Sequence, residues 1–203
     1  MAITNGYVTL QRVKQALRIT DQIDDAILEL SVEAASREID GFTERQFFQS
    51  TGTRVFIPRD SFTVEIDDLT SLTSLKTASI GKDFDITWTD TDYQLEPLNS
   101  IAGGIASPAT RIRAVGDFVF PTFEPRNVNH YQATVQVTGT FGFPAIPTAV
   151  EQAALLLTLR QYKRYDAPLG VAGIDDLGIA MRVGRIDPDV EKLLMPFRKV
   201  RMA

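Results

Sequence analysis

The hydrophobic pattern of this chain changes period twice, from helical to alternating and back to helical. Near the start, Leu10, Val13 and Leu17 share one face of a predicted helix, Leu10 to Arg18, which Thr9 is placed to cap. The acidic run Asp21, Asp24 and Asp25 then leads into a longer predicted helix, Ala26 to about Phe47. Carboxylates at that end suit the helix dipole, so Asp24 and Asp25 are read as capping residues. Ile27, Leu30 and Ala34, with Leu28, Val32, Ala35, Ile39 and Phe42, give this helix a wide apolar stripe. Glu33 and Arg37 form an i,i+4 pair on its outer side, and Gly41 is expected to kink or fray the last turns.

From about Thr51 the pattern alternates. Phe62–Ile66 and Tyr131–Thr138 place apolar against polar residues at every step, as half-buried strands do. Shorter candidates lie at Leu72–Ala78, Phe84–Trp88, Asp92–Leu95 and Arg111–Val115, punctuated by Pro58-Arg-Asp-Ser, Gly81-Lys-Asp, Gly103-Gly104 and Ser107-Pro108. Helical spacing returns after Pro147, a residue suited to a first turn. Ala153 to Leu159 is apolar around nearly the whole circumference, and such a helix is buried on all sides. In a chain this size a neighbouring subunit is the natural second wall, with Leu155, Leu156, Leu159 and Tyr162 against it. The predicted class is α+β: a helical bundle from residues 1–50 plus 144–203, with residues 51–143 inserted as an antiparallel sheet of six or seven strands or a small β-barrel.

After Asp166-Ala167-Pro168 the chain stays apolar but is broken by Gly170, Gly173, Gly178 and Gly184. Glycine at that density suits neither helix nor packed strand. Yet Leu169, Val171, Ile174, Leu177, Ile179, Met181 and Val183 are too apolar for a solvated linker. The reading is an arm ordered by another protein surface. A last helix follows, with Asp187 as N-cap and Pro188 at the first helical position.

Composition narrows the class. At 203 residues and 44% hydrophobic, the chain can bury a sizeable core. No signal peptide or membrane span is expected, since the longest apolar run, Ala153 to Leu157, is far below the roughly 20 residues a bilayer needs. Cysteine is absent, which excludes disulfides and thiolate ligands and fits a cytosolic chain. Residues 1–50 carry 5 basic and 8 acidic side chains, residues 51–150 carry 7 and 11, and residues 151–203 carry 9 and 7, giving −5 in all. Most of the chain therefore has the wrong sign to grip nucleic acid.

Candidate chemistry is sparse. His130 is the only histidine and sits on the polar side of its strand, without partners for a base or a ligand. Asp24-Asp25, Asp67-Asp68 and Asp175-Asp176 are acidic pairs, but neighbouring strand residues point to opposite faces and make a poor chelate. Phosphate-loop, dinucleotide, zinc-protease and nucleophile-elbow motifs are all missing. No cofactor or metal and no enzymatic activity are expected. Phe118, Phe120 and Phe123 form an aromatic cluster with two open readings, a binding patch that contacts another subunit or a loop pinned over the sheet.

Several stretches together resemble the head-tail connector (adaptor) proteins of long-tailed double-stranded DNA phages, those of actinobacterial phages above all. They are Tyr7 to Ile19, Asp24 to Leu30, Ala34 to Asp40, Val135 to Phe143, Ile146-Pro147, Glu151 to Ala154, Arg164 to Val171 and Asp187 to Arg198. The resemblance implies a virion neck protein assembled in the host cytoplasm as a ring, commonly of twelve copies. The ring would dock beneath the portal, continue the DNA channel without sequence-specific binding, and present a platform to a stopper or tail terminator. It implies portal contacts along the arm at Leu169, Val171, Ile174, Leu177, Ile179, Met181, Arg182 and Arg185, and in the last helix at Leu193, Leu194, Phe197 and Arg198. Leu155, Leu156, Leu159 and Tyr162, with Phe118, Phe120 and Phe123, become contacts between ring subunits. Deleting residues 167–203 is expected to abolish portal binding and leave the core folded.

Three other readings stand beside this one. A stopper would occupy the same neck but plug the channel. A carboxylate-dependent glycan hydrolase would need two sheet carboxylates, such as Asp67 and Asp92, in one cleft. A carbohydrate-binding module would need an exposed aromatic platform, whereas Trp88, the only tryptophan, lies in a predicted strand and reads as core.

Overall fold

A computed structural model describes residues 3–79, 83–122, 133–166 and 187–199. Among them the fold is α+β, with four α-helices and eight strands. The chain divides into two compact units, residues 46–145 and residues 1–45 with 146–203.

In the helical unit, α1 (Leu10–Leu17) begins at Thr9, whose side chain accepts the Arg12 N–H, and ends at Arg18 in the left-handed conformation. Helix α2 (Asp25–Thr43) stops earlier than the pattern predicts, because Glu44 also turns left-handed at φ 54°. Gly41 lies inside this helix. Phe47, expected in its last turns, belongs to the other unit and packs on Phe143 with ring centroids 4.7 Å apart. Helix α3 (Thr148–Asp166) is the main partner of α2; α1 touches both, and α4 (Pro188–Leu194) packs on α3 and α2. Asp187 caps α4 through Asp189 N–H, with Pro188 in the first turn as expected, and a 3-10 turn, Met195–Phe197, follows.

The core between these helices is small-to-large packing. Leu28, Val32, Ala35 and Ile39 of α2 are fully buried, as are Val150, Ala153 and Ala154 of α3. The apolar stripe of α2 is narrower than predicted: Leu30 is 62% exposed, Ala34 is exposed, and Ile27 and Phe42 are half-buried. The N-terminal segment is nailed along one flank of α2. Thr4 N–H donates to Glu33 Oε1 (2.8 Å), Tyr7 N–H to Ser36 Oγ (3.0 Å), Arg37 to the Asn5 carbonyl (3.0 Å), and Tyr7 Oη to Asp40.

In the other unit a six-stranded antiparallel sheet runs in the order β1 (Ser50–Phe56), β8 (Val135–Phe141), β2 (Thr63–Thr77), β7 (Ala109–Ala114), β4 (Tyr93–Glu96), with β3 (Ile86–Trp88) on β2. The segments predicted at Phe62–Ile66 and Leu72–Ala78 are one 15-residue strand, β2. Register shifts between Glu65 and Leu69 and again between Leu69 and Ser74 break its alternation, so Asp68 and Leu69 are both buried. Bulges of this kind bend a strand and increase its twist. They crowd the opposite strand: a Cβ on Gly139 would run into the Ser71 carbonyl and come 3.3 Å from Leu72 Cα. Strand β8 follows its pattern, Val135, Val137 and Phe141 inward and Gln136, Thr138 and Thr140 half-buried on the other side. A separate hairpin pairs β5 (Ile101–Ala102) with β6 (Ile105–Ala106). Gly103 (φ 61°) and Gly104 (φ 81°) form its two-residue turn, a conformation open mainly to glycine.

Candidate assembly surfaces

Among the described residues no group of three or more His, Asp or Glu side chains is placed to hold a metal. Asp67 and Asp92, the example pair for a hydrolase, are each committed locally. Asp67 pairs with Arg54 at 2.7 Å. Asp92 accepts Thr89 N–H (2.6 Å) and the Thr89 hydroxyl (2.7 Å), and these bonds hold its carboxyl below the usual range. Asp60 and Asp85 close turns in the same way, the first through the Thr63 hydroxyl and Phe62 N–H, the second through the Ser79 hydroxyl and N–H. Asp40 is shifted oppositely: burial raises it, against the lowering pull of Tyr7 Oη and Arg37. Asp24 is not the side-chain cap its position suggests. Its Oδ2 accepts Tyr162 Oη at 2.7 Å, and Asp25 pairs with Lys14 at 2.6 Å, so the acidic pair ties α2 to α3 and α1.

Trp88 is core, as predicted: it is 5% exposed and donates Nε1–H to Thr77 Oγ1 at 2.9 Å. Phe120 stacks on it at 4.7 Å and 8°, while Phe118 lies 5.1 Å away and tilted. The loop is pinned by Phe120, which is 1% exposed and has no surface left for another subunit; Phe118, at 38%, keeps some. Phe123, His130 and the Asp175-Asp176 pair lie outside the described residues.

The arm positions Leu169, Val171, Ile174, Leu177, Ile179, Met181, Arg182 and Arg185 also lie outside them. The end of the chain departs from its expected role. Leu194 and Phe197 are buried at 1% and 3%, so they belong to the core of the helical unit in this fold. Leu193 is half-buried, and the exposed Arg198 reaches over the Phe42 ring at 5.8 Å. On α3 the buried face is Val150, Ala153, Ala154, Leu157 and Thr158. Leu155, Leu156, Leu159 and Tyr162 are half-buried, so the described residues do not enclose the helix on all sides, and three leucines keep accessible surface. No helix among the described residues is long and apolar enough to cross a membrane.

The sequence reading missed one surface. Ile23 is 85% exposed and Leu30 62%, with Ala34 exposed and Ile27 half-buried. Ile27, Leu30 and Ala34, three and four residues apart, mark a second seam on α2, distinct from Leu28, Val32, Ala35 and Ile39, and Ile23 in the preceding turn lies at the same spacing. Read as one wide stripe, the two seams merge; read at heptad spacing, they separate.

With these surfaces in place, comparison with solved structures gives the class of fold. The chain is similar over its full length to a chain in the neck of an empty GTA particle computed with C6 symmetry, at TM-score 0.61 and 20% identity, covering 95% of that chain. A chain from the neck of a native GTA particle computed with C12 symmetry gives 0.59 and 20%, covering 94%. One from the virion of a native gene transfer agent particle gives 0.53 and 22%, covering 95%. At such identities the likeness is one of fold. The family model described as Phage gp6-like head-tail connector protein matches residues 7–77, which run from the segment before α1 to the end of β2. No curated protein matches the chain.

Proposed function

We propose that this chain is a structural neck protein, a head-tail connector that forms a ring beneath the portal of a phage-like particle and continues the DNA channel toward the tail. The observation that carries the reading is the full-length likeness in fold to neck chains. The connector-family match over residues 7–77 supports it from the sequence side. The net charge of −5 suits a bore through which DNA, with about one negative charge per 1.7 Å of axis, slides without sticking. The apolar residues between Leu169 and Val183 act as the portal-binding arm. Each copy of the arm contributes modestly, and repetition around the ring makes the joint firm by effective concentration.

The test uses the intact chain with a phage portal protein, by co-purification and by imaging of the complex. Because Leu194 and Phe197 are core residues, the informative deletion is 168–185 replaced by a short polar linker, not removal of everything after residue 166. The expected result is lost portal binding with an unchanged thermal transition. Portal binding at full strength would rule out the arm, and a chain that binds no neck component would rule out the connector.

A further inference from the structure

The two outer faces that keep accessible surface among the described residues of the helical unit differ in charge. On α2, Ile27, Leu30 and Ala34 continue to the exposed Gly41, where an added Cβ would meet nothing within 4 Å, and Ile23 lies in the turn just before the helix. The flanks of this seam are already occupied. The N-terminal segment covers one through Glu33, Ser36 and Asp40, and α3 holds the other through Gln161 to Glu38 (3.0 Å) and Tyr162 to Asp24. What remains is a narrow apolar strip with no cover among the described residues. On α3, Leu155, Leu156 and Leu159 form the corresponding strip, and Lys163 extends it at helical spacing.

Charge separates the two strips. Residues 21–40 hold seven carboxylates and one arginine, whereas Arg160, Lys163 and Arg164 follow the leucines of α3 with only Asp166 against them. Two α2 strips brought together would set like charges face to face, and so would two α3 strips; only the mixed pairing is complementary. Since α2 and α3 pack on each other through their buried faces, their outer faces turn away from that contact. A contact between unlike faces is heterologous and propagates from copy to copy until it closes.

We infer that the outer strip of α2 in one copy receives the outer strip of α3 in the next, and that this repeated pairing is the subunit contact of the ring. The inference rests on the connector reading and deepens it by naming both halves of the joint.

The absence of cysteine makes the test clean. Chains carrying only Leu30→Cys and chains carrying only Leu156→Cys are mixed and treated with a short bismaleimide. Cross-linked dimers are expected in the mixture and in neither chain alone, and a chain with both substitutions gives a ladder. Leu30→Glu, at an exposed site, is expected to weaken self-association measured by sedimentation at least about tenfold while the circular dichroism spectrum is unchanged. Cross-links in the Leu30→Cys chain alone mean a two-fold α2 contact and overturn the inference. So does a Leu30→Cys chain that stays monomeric at every concentration with its thiol shielded from a maleimide probe, since its own residues then cover the strip. Rings that form without a cross-link between positions 30 and 156 sink this pairing and leave the connector reading standing. A ladder from a chain that binds no portal does the reverse.

Discussion

Phe120 and Phe118 are two residues apart on one loop and both lie against Trp88, yet only Phe120 is fully enclosed. Phe120→Ala empties a packed site and is expected to cost the sheet unit about 3–5 kcal/mol, read by denaturant unfolding of the Trp88 fluorescence. Phe118→Ala, at a partly solvated ring, is expected to cost clearly less. Charge matters at this scale as well. Asp60 is held low because its carboxylate accepts the Thr63 hydroxyl and the Phe62 and Thr63 amides. A depressed acid contributes its stability above the unfolded pKa of about 3.9 and loses it as pH falls through the lower folded value. The Phe62 and Thr63 amide resonances should therefore move together on acidification, and Asp60→Asn should abolish that step. Asp40 has the opposite sign: burial raises it, so its contribution is complete below the unfolded value and is lost as pH rises through the folded one.

At the scale of elements, what the sequence made legible follows from whether local chemistry or tertiary context decides. Thr9 and Asp187 announce their helices because a cap is a local bond, and both bonds are present. Strand β8 was legible because each of its positions keeps its side. Strand β2 was not, since its bulges shift the phase and split one strand into two apparent ones. Periodicity finds an apolar face without saying which surface covers it; hence Leu30 read as core, and Leu194 and Phe197 read as portal contacts. The crowding of β8 by β2 gives a prediction here. Gly139→Ala is expected to destabilise the sheet unit by about 1–3 kcal/mol, whereas Gly52→Ala in the paired edge strand, with nothing within 4 Å of the new methyl, is expected to be nearly neutral in unfolding experiments. The burial of Phe197, just beyond α4, gives another. Phe197→Ala is expected to lower the stability of the helical unit by about 3–5 kcal/mol, a loss that thermal melting of the free protein measures without any partner.

For the molecule as a whole, the two ends of the sheet unit lie side by side. Phe47 meets Phe143, Gln49 Nε2 donates to the carbonyls of Phe143 (3.1 Å) and Pro144 (3.3 Å), and Gly142 leaves room for the Phe48 carbonyl that any Cβ would strike. The two ends of residues 46–145 are thus held together by one clasp, and the region has its own core. A region tied off at its base in this way is a cassette. Expressed alone, residues 46–145 are expected to melt cooperatively, and a related chain could trade this region for one of different length without disturbing the helices that carry it. Variation among related chains would then concentrate between Gln46 and Ala145, where exchange costs the rest of the molecule least.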